Sequence, residues 1–325
     1  MKKETRIIGL RCFGLTDAQK QKIQETAPDF TLTDITQSYT NEQLAEFEII
    51  FGNMPPKDMQ YAKNLKWYHM QSAGVERYCK PGVVLPENMI FTNSSGAYGA
   101  AIAEHLITMA MMLQHYMPRY INNMKSKEWQ YLGKVKSIYG SKVTVAGFGD
   151  IGSHFARKMH ALGAGVKGIV RVKRQECPSY LDGLYTSSDI EQTNKALSEA
   201  DIVALCMPET PETINFLSRE RIKSLKQGVI ILNIGRGSAI DQKALEDYIE
   251  NGHIGGAGLD VTSPEPLPAD SVLWTLPNVI ITPHVSGRDS LDSIHELIVG
   301  KFLRYLDDYI NGRPFDDVVD KTAWY

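Results

Sequence analysis

The chain has 325 residues, of which 43% are hydrophobic and 22% charged, with a formal net charge of −3 at pH 7. This composition excludes a strongly basic nucleic-acid-binding protein and a highly charged disordered chain, and a length above about 100–200 residues predicts two domains. The most apolar segment, AIAEHLITMAMML, is shorter than a membrane span and contains Glu104 and His105. We therefore expect partners other than nucleic acid or membrane.

The first part of the chain alternates short β-rich runs with polar, helix-compatible segments. The predicted strands are RIIGL, FEIIFGN, KWYHM and MIFTN, and the predicted helices include TDAQKQKIQETA and PKDMQYAKNL. This alternation predicts βαβ units and a parallel sheet. The Ala-rich segment that follows, AYGAAIAEHLITMAMMLQHYMPRYINNM, is predicted to form one long helix leading away from this domain.

A second alternating region contains stronger predicted strands, namely KVTVAGF, GVKGIV, DIVALCM, GVIILNIG, GGAGLDV and NVIITPHV. Six strands with helices between them predict a doubly wound nucleotide-binding sheet, so the expected fold class is α/β with two parallel-sheet domains. A final helix is predicted to carry an apolar face that requires a partner surface. That face consists of Leu291, Ile294, Ile298, Phe302, Tyr305 and Leu306.

The cysteines and the first residues favour a cytoplasmic location. Cys12, Cys79, Cys177 and Cys206 stand singly, which suits reduced, packed thiols better than disulfides or a zinc site. Charged residues interrupt MKKETRIIGLRCFGL, so no export signal is expected. We expect no bound metal.

The segment VTVAGFGDIGSHFARKMHALG contains Gly147, Gly149 and Gly152 in GxGxxG spacing between a strand and an amphipathic helix. In this context the glycines permit a tight turn, close approach of a pyrophosphate and close packing of helix on strand. The helix start, with Asp150 and Ile151, offers N–H groups and a positive dipole end to phosphate. We predict a dinucleotide site, with a plain glycine turn as the alternative.

A basic loop, RVKR, follows the strand GVKGIV. An NAD-preferring domain places an acidic residue about 20 residues past the glycine loop, and that position falls at Val170. Arg171, Lys173 and Arg174 come next and offer charge-assisted donors to a 2′-phosphate. We expect NADP to be preferred and NAD to be possible, with Arg171 the principal phosphate ligand and Lys173 or Arg174 secondary. A solvated basic turn is the alternative.

Three charged residues stand at or just beyond predicted strand ends: Arg236 in ILNIGRGSAI, Glu265 in DVTSPEPLP and His284 in ITPHVSG. Ligands of open parallel sheets bind beyond the carboxyl ends of the strands, so these side chains are candidates to converge on one crevice. Residue type alone favours a solvated cation, a surface-turn acid and a core histidine.

The order and spacing of NIGRG, GLDVTSPEPLP and LPNVIITPHVSG resemble the signature of the D-isomer-specific 2-hydroxyacid dehydrogenase family. The resemblance continues through QSAGVERY, NSSGAYGAAIAEH, GFGDIG and MPETPET. It implies a Rossmann cofactor domain at 99–288 and a smaller flavodoxin-like substrate domain at 1–98, completed by the C-terminal helix at 289–325. It also implies a homodimer that reduces a small 2-oxoacid to a D-2-hydroxyacid with NAD(P)H. The basic loop resembles that of NADPH-dependent glyoxylate and hydroxypyruvate reductases.

The family's catalytic arginine, glutamate and histidine correspond in this resemblance to Arg236, Glu265 and His284. Reduction of a 2-oxoacid needs a hydride at the carbonyl carbon and a proton at its oxygen, and an imidazole is the natural proton donor near neutral pH. Glu265 can hydrogen-bond the other nitrogen of His284, fix its tautomer and favour its protonated form. Arg236 can hold the substrate carboxylate and polarise the ketone with a planar guanidinium.

Further roles follow from the same resemblance. The N–H groups of Ala73 and Gly74 would contact the substrate carboxylate, and Pro208 would contact the cofactor. Asp260 would lie near the nicotinamide carboxamide, with a turn-capping acid as the alternative. Trp129 in SKEWQYLG resembles a family tryptophan position before the cofactor domain, but from its residue type we expect it to pack. A dinucleotide-sensing corepressor is the alternative function, and the identity of the oxoacid stays open.

Overall fold

The computed structural model describes residues 5–288 and 292–322, which belong to two compact units. One unit comprises the chain up to Ala97 together with the segment after Arg288, and the other is Tyr98–Arg288. Each unit is built on one parallel sheet, which confirms the predicted fold class. Leu291, predicted on the face of the last helix, lies outside the described residues.

The first unit contains a five-stranded sheet in the order β2-β1-β3-β4-β5, which is the flavodoxin-like order. Its strands are β1 (Arg6–Arg11), β2 (Phe30–Asp34), β3 (Ile49–Gly52), β4 (Trp67–Met70) and β5 (Ile90–Asn93). Its first helices are α1 (Asp17–Thr26), α2 (Asn41–Glu46) and α3 (Glu76–Cys79). The predicted helix PKDMQYAKNL is a 3-10 helix over Pro56–Tyr61, and β2 was not predicted.

The second unit contains a seven-stranded sheet in the order β12-β11-β10-β9-β6-β7-β8. Its strands are β6 (Lys142–Ala146), β7 (Gly165–Val170), β8 (Gly183–Thr186), β9 (Ile202–Leu205), β10 (Val229–Asn233), β11 (Ile254–Leu259) and β12 (Val279–Ile281). Its helices are α4 (Gly99–Gln114), α5 (Met117–Ser126), α6 (Asp150–Ala161), α7 (Ile190–Ser198), α8 (Arg219–Ser224) and α9 (Gln242–Glu250). The six strands β6 to β11 follow the Rossmann order, and the chain reverses its winding direction between β6 and β9. Dinucleotides bind at such a reversal.

The single long helix predicted after the first domain is wrong, because the structure has two helices, α4 and α5, there. The break falls at Tyr116, whose backbone is left-handed at φ 56°. Pro118 lies in the first turn of α5, where its missing N–H costs nothing, whereas in the middle of a helix it would leave a carbonyl unpaired. In the described parts of the chain no helix is both long and apolar enough to cross a lipid bilayer.

Two packing predictions are wrong. Trp129 is fully exposed in this chain, because it follows α5 in a segment with no regular secondary structure. Cys177 is exposed as well, in the loop after β7, whereas Cys12 is buried as predicted. All four cysteines are free thiols.

The last helix, α10 (Asp292–Ile310), packs on the sheet of the first unit. The Phe302 ring stacks on Phe51 of β3 at 4.0 Å between centroids and on Trp67 of β4 at 5.1 Å. The described part of the predicted apolar face is buried, which confirms the pattern. Its buried members are Ile294, Ile298, Phe302, Tyr305 and Leu306.

We predict that Phe302→Ala lowers the free energy of unfolding by about 3–5 kcal/mol, because it removes a fully buried ring from between aromatic neighbours. Urea denaturation measures the change. Leu297→Ala is the control on the same helix, since Leu297 is 53% exposed, and it should change stability by less than about 0.5 kcal/mol. Equal losses in the two variants would show that α10 is not held by its aromatic face.

Candidate active site

The glycine loop joins β6 to α6 at the point where the second sheet reverses. Gly147 has φ +89°, and a Cβ there would lie 2.7 Å from the carbonyl of Cys206 in the loop after β9. A Cβ at Gly152 would lie 2.1 Å from the carbonyl oxygen of Gly147. Both glycines are therefore required by close backbone contacts, as the motif predicts.

Gly149 differs from these two glycines, because a Cβ built on it would meet nothing within 4 Å. It immediately precedes α6, whose N-terminus has no side-chain cap. Asp150 and Ile151 are the first residues of that helix, and the Asp150 carboxylate lies 3.7 Å from His154. Open space beside an uncapped helix N-terminus fits a pyrophosphate, so these residues can hold a dinucleotide.

The basic loop begins directly after Val170, the buried last residue of β7. Arg171, Lys173 and Arg174 are all exposed there. Arg174 turns back onto the glycine loop, where its Nη2 donates to the carbonyl oxygen of Phe148 at 2.5 Å. Arg174 therefore lies beside the candidate dinucleotide site, Arg171 and Lys173 belong to the same loop, and no carboxylate stands at the end of β7.

The loop after β9 forms the other side of this region of the second unit. Pro208 is exposed, and its carbonyl accepts a hydrogen bond from the hydroxyl of Thr213 at 2.7 Å. Three effects lower the pKa of Glu212. The largest is a hydrogen bond with Thr210, the next is a backbone hydrogen bond, and the smallest is the positive charge of Arg171. Arg171 and this loop therefore interact electrostatically.

The predicted acid and histidine form a pair. Nδ1 of His284 lies 2.7 Å from Oε1 of Glu265, and both side chains are 43% exposed. A carboxylate can only accept, so Nδ1 carries the hydrogen and Nε2 is the nitrogen left for another partner. His284 has a left-handed backbone at φ 52°, which non-glycine residues adopt only where neighbours enforce it.

A buried carboxylate enforces the His284 backbone. Asp260 accepts hydrogen bonds from the N–H groups of Val285 at 2.9 Å and Ser286 at 3.1 Å, and from the hydroxyls of Thr282 and Ser286 at 2.6 and 2.5 Å. Its backbone carbonyl also accepts from the His284 N–H at 2.8 Å. Burial alone would raise the pKa of Asp260, but these hydrogen bonds outweigh it and lower that pKa. Asp260 thus caps the His284 loop, which is the alternative that its residue type suggested.

Arg236 follows β10, the strand next to β11 in the sheet. Asn233 holds its loop, because the Asn233 side chain donates to the Arg236 carbonyl at 2.9 Å and accepts from the Gly235 N–H at 3.1 Å. A Cβ at Gly237 would lie 1.9 Å from the carbonyl oxygen of Thr262, so this loop abuts the one that leads to Glu265. Arg236 is half-buried, and its Nη1 donates to the Gly235 carbonyl at 2.6 Å.

The remaining predicted residues, Ala73 and Gly74, belong to the first unit, in the loop after β4. Asn93 donates to the Ala73 carbonyl at 2.7 Å and so fixes the loop. Within residues 5–288 and 292–322, the N–H groups of Ala73 and Gly74 make no hydrogen bond, so both are available to donate to an anion.

Sequence reasoning missed the residues that support the site. His105 of α4 lies with its Nε2 3.0 Å from the Thr282 hydroxyl and 3.9 Å from the Asp260 carboxylate. Asn233 was not predicted either. A signal in the sequence could have identified Asn233. Like Asp260, it is a polar residue at the end of an apolar strand.

We predict that Asp260→Asn lowers the free energy of unfolding at pH 7 by about 2–3 kcal/mol, because an amide cannot accept all of these charge-assisted hydrogen bonds. The ordinary Asp pKa is about 3.9, and that of folded Asp260 lies lower, so the stabilisation is complete well above pH 4 and is lost as the pH falls through the folded pKa.

Urea unfolding at a series of pH values should therefore show the difference between Asp260→Asn and the unmutated protein narrowing below about pH 4. Asp270→Asn, which changes an exposed carboxylate, is the control and should shift stability by less than about 0.5 kcal/mol. A difference that stays constant down to pH 3 would contradict the role of the Asp260 charge.

The chain is similar in sequence to several dehydrogenases. The family profile "D-isomer specific 2-hydroxyacid dehydrogenase, NAD binding domain" matches residues 107–286. A putative 2-hydroxyacid dehydrogenase of Haemophilus influenzae is 30% identical over 67% of this chain and 69% of its own length. A D-3-phosphoglycerate dehydrogenase of Synechocystis is 33% identical over 71% of this chain, but the match spans only 41% of that protein.

Solved structures of other proteins have the same fold over nearly the whole length of this chain. A D-isomer specific 2-hydroxyacid dehydrogenase family protein from Aeromonas salmonicida has a TM-score of 0.84 and 28% identity, with 98% of this chain and 99% of that one covered. An NADPH-dependent glyoxylate/hydroxypyruvate reductase from Sinorhizobium meliloti, solved with NADP and sulfate, has a TM-score of 0.82 at 22% identity, with 99% and 100% covered, and shares the fold. The chain therefore belongs to the D-isomer specific 2-hydroxyacid dehydrogenase family.

Proposed function

We propose that the protein reduces a small 2-oxoacid to a D-2-hydroxyacid with NADPH, as a reductase of glyoxylate, hydroxypyruvate or a larger 2-ketoacid. The observation that carries the proposal is the 2.7 Å contact between His284 and Glu265. It lies at the carboxyl ends of the strands in a sheet that also bears the glycine loop, and family membership supports this reading. The relatives named above give no support to a dinucleotide-sensing corepressor.

In this proposal the bound nicotinamide supplies the hydride, and His284 supplies the proton. Glu265 accepts the hydrogen on Nδ1, which directs Nε2 toward the ketone oxygen and stabilises an imidazolium. The Asp260 hydrogen bonds hold the His284 backbone, so the imidazole does not have to be ordered when substrate binds. Asp260 would thus act as a positioning residue, and a contact with the nicotinamide carboxamide stays a prediction.

Arg236 and the pair Ala73 and Gly74 are proposed to bind substrate. A guanidinium offers two parallel donors to a carboxylate and can polarise the neighbouring ketone. The N–H groups of Ala73 and Gly74 offer further donors to an anion. Homodimerisation and a cytoplasmic location stay predictions.

The preference for NADP is proposed on the cations after β7. Arg171 and Lys173 are exposed directly after Val170, the position where an NAD-preferring domain carries its carboxylate, and Arg174 lies against the glycine loop. We assign the 2′-phosphate chiefly to Arg171, with Lys173 and Arg174 secondary. NAD would still bind through the glycine loop, Asp150, Ile151 and Pro208.

The purified protein tests the function directly. NADPH or NADH is mixed with glyoxylate, hydroxypyruvate, pyruvate and larger 2-oxoacids, and loss of reduced-nicotinamide absorbance is followed. We expect turnover with at least one oxoacid and formation of the D-hydroxyacid. Tight cofactor binding with no turnover on any oxoacid would contradict an oxoacid reductase.

We predict that His284→Ala lowers kcat for oxoacid reduction by roughly 10²- to 10⁴-fold, the usual effect of removing a positioned general acid. The Kd for NADPH, measured by fluorescence titration, should stay nearly constant. His253→Ala is the control, since His253 lies beyond α9 and contacts Gln227 and Ile222. A His284→Ala variant with near-full kcat would remove this residue from the mechanism.

We also predict that Arg171→Ala weakens NADPH binding about tenfold or more and scarcely alters NADH binding, because each charge-assisted contact is worth about 1.5–3 kcal/mol. Isothermal titration with both cofactors measures the difference. Lys195→Ala, on α7, is the matched loss of a cation and should leave both affinities unchanged. Equal kcat/KM for NADPH and NADH in the unmutated protein would contradict the preference.

A further inference from the structure

Arg11 lies at the carboxyl end of the sheet in the first unit. It is the last residue of β1, and its partner in the register of β3 is Gly52. The loop that carries Ala73 and Gly74 follows β4, which pairs with β3 in the same parallel sheet. Arg11 therefore lies at the same carboxyl end of this sheet as the N–H groups of Ala73 and Gly74, which are proposed above to bind substrate.

Asn53 connects Arg11 to that loop. Nη1 of Arg11 donates to the backbone carbonyl of Asn53. The side-chain oxygen of Asn53 accepts from the N–H of Ser72 at 3.2 Å and from its hydroxyl at 3.1 Å. A single residue thus contacts both the guanidinium and the residue before Ala73.

The Arg11 guanidinium retains hydrogen-bonding capacity. Its Nε is buried and has no hydrogen-bond partner among the residues that the structure describes. Over the same residues Arg11 forms no ion pair, whereas Arg6, at the other end of β1, lies 2.7 Å from Glu48. A buried donor without a partner costs free energy, and a half-buried cation without a counter-ion attracts an anion.

Two aromatic rings flank the guanidinium. Its Cζ lies 5.8 Å from the centroid of Phe13 and 5.6 Å from that of Tyr39, within the range of cation–π attraction. The Tyr39 hydroxyl donates to Asp58 at 2.7 Å. Burial and then this hydrogen bond raise the pKa of Tyr39 to about 12, so Tyr39 is neutral and offers Arg11 no phenolate at neutral pH.

We propose that Arg11 binds a second anionic group of the oxoacid, a carboxylate or a phosphate, at the end remote from the reacting carbonyl. The planar fork of a guanidinium matches the oxygens of either group. This inference rests on the proposed reduction of a small 2-oxoacid. Within that activity it favours larger 2-oxoacids with a distal anion over glyoxylate and hydroxypyruvate, which carry one anionic group.

The test compares Arg11→Met with the unmutated protein on two sets of substrates. Pyruvate and hydroxypyruvate carry one anionic group, whereas oxaloacetate, 2-oxoglutarate and 3-phosphohydroxypyruvate carry a second. We expect the unmutated protein to have a higher kcat/KM for at least one dianionic substrate. Arg11→Met should lower that value about tenfold or more and leave pyruvate nearly unchanged. Whether oxaloacetate or the phosphate compound loses more identifies the distal group.

Arg304→Met is the matched control, because Arg304 belongs to the same unit but pairs with Asp316 on the surface of α10. It should preserve the ratio between the two substrate sets. Arg11→Lys keeps the charge and should restore part of the selectivity. Thermal unfolding midpoints of all variants establish that each is folded.

Three results would overturn the inference. The first is an equal loss of kcat/KM on both substrate sets in Arg11→Met, which would assign Arg11 to the carboxylate that all the substrates share. The second is an unchanged kcat/KM on both sets. The third is a preference of the unmutated protein for monoanionic substrates. If no oxoacid is reduced, the proposed function fails, and calorimetry with succinate decides the inference alone. Weaker succinate binding by Arg11→Met than by Arg304→Met supports an anion site at Arg11, and equal binding overturns it.

Discussion

The buried charge of Asp260 is the constraint on which the candidate active site depends. A carboxylate removed from water requires several hydrogen bonds, and here they come from the backbone and hydroxyls of the loop after β12. Val285 and Ser286 are bound to this one carboxylate, and His284 directly before them has a left-handed backbone and donates its N–H to the Asp260 carbonyl. The site's exposed histidine is therefore positioned by an acid that is itself inaccessible.

Close backbone contacts hold the loops at the carboxyl ends of the second sheet against one another. Glycines at the ends of β6 and β10 lie against the neighbouring loops, where a Cβ would come within 1.9 to 2.7 Å of backbone atoms. Gly147 contacts the loop after β9, and Gly237 contacts the loop after β11. Side chains at these positions would push the loops apart. A Cβ at Gly149 would have no such contact. The open space beside Gly149 is not required for packing and is therefore available to a ligand.

Most strands and the proximity of Glu265 and His284 could be predicted from the sequence, whereas the edge strands β2 and β8 and the supporting contacts could not. The central strands are apolar runs between turn residues, but β2 and β8 lie at sheet edges with partly exposed, polar faces that lack a clear period. The break at Tyr116 depends on a left-handed residue that no apolar pattern reveals. His105 acts through a hydrogen bond to Thr282, which is 177 residues away in sequence, and such a bond follows only from the folded backbone. Asn233 bonds within its own loop, to Gly235 and Arg236, and that turn has no apolar pattern to reveal it.

The arginines of β1 show how the same residue type acquires different roles in one strand. Arg6 faces Glu48, and their hydrogen bonds raise the pKa of the arginine and lower that of the acid, so each charge is compensated within the fold. Arg11 has aromatic rings and a backbone carbonyl around it, which hold the guanidinium without neutralising it. A compensated charge contributes to the fold, but an uncompensated charge at the carboxyl end of a parallel sheet is available to a ligand. That difference is the physical basis on which we propose Arg11, rather than Arg6, as a ligand for an anionic substrate group.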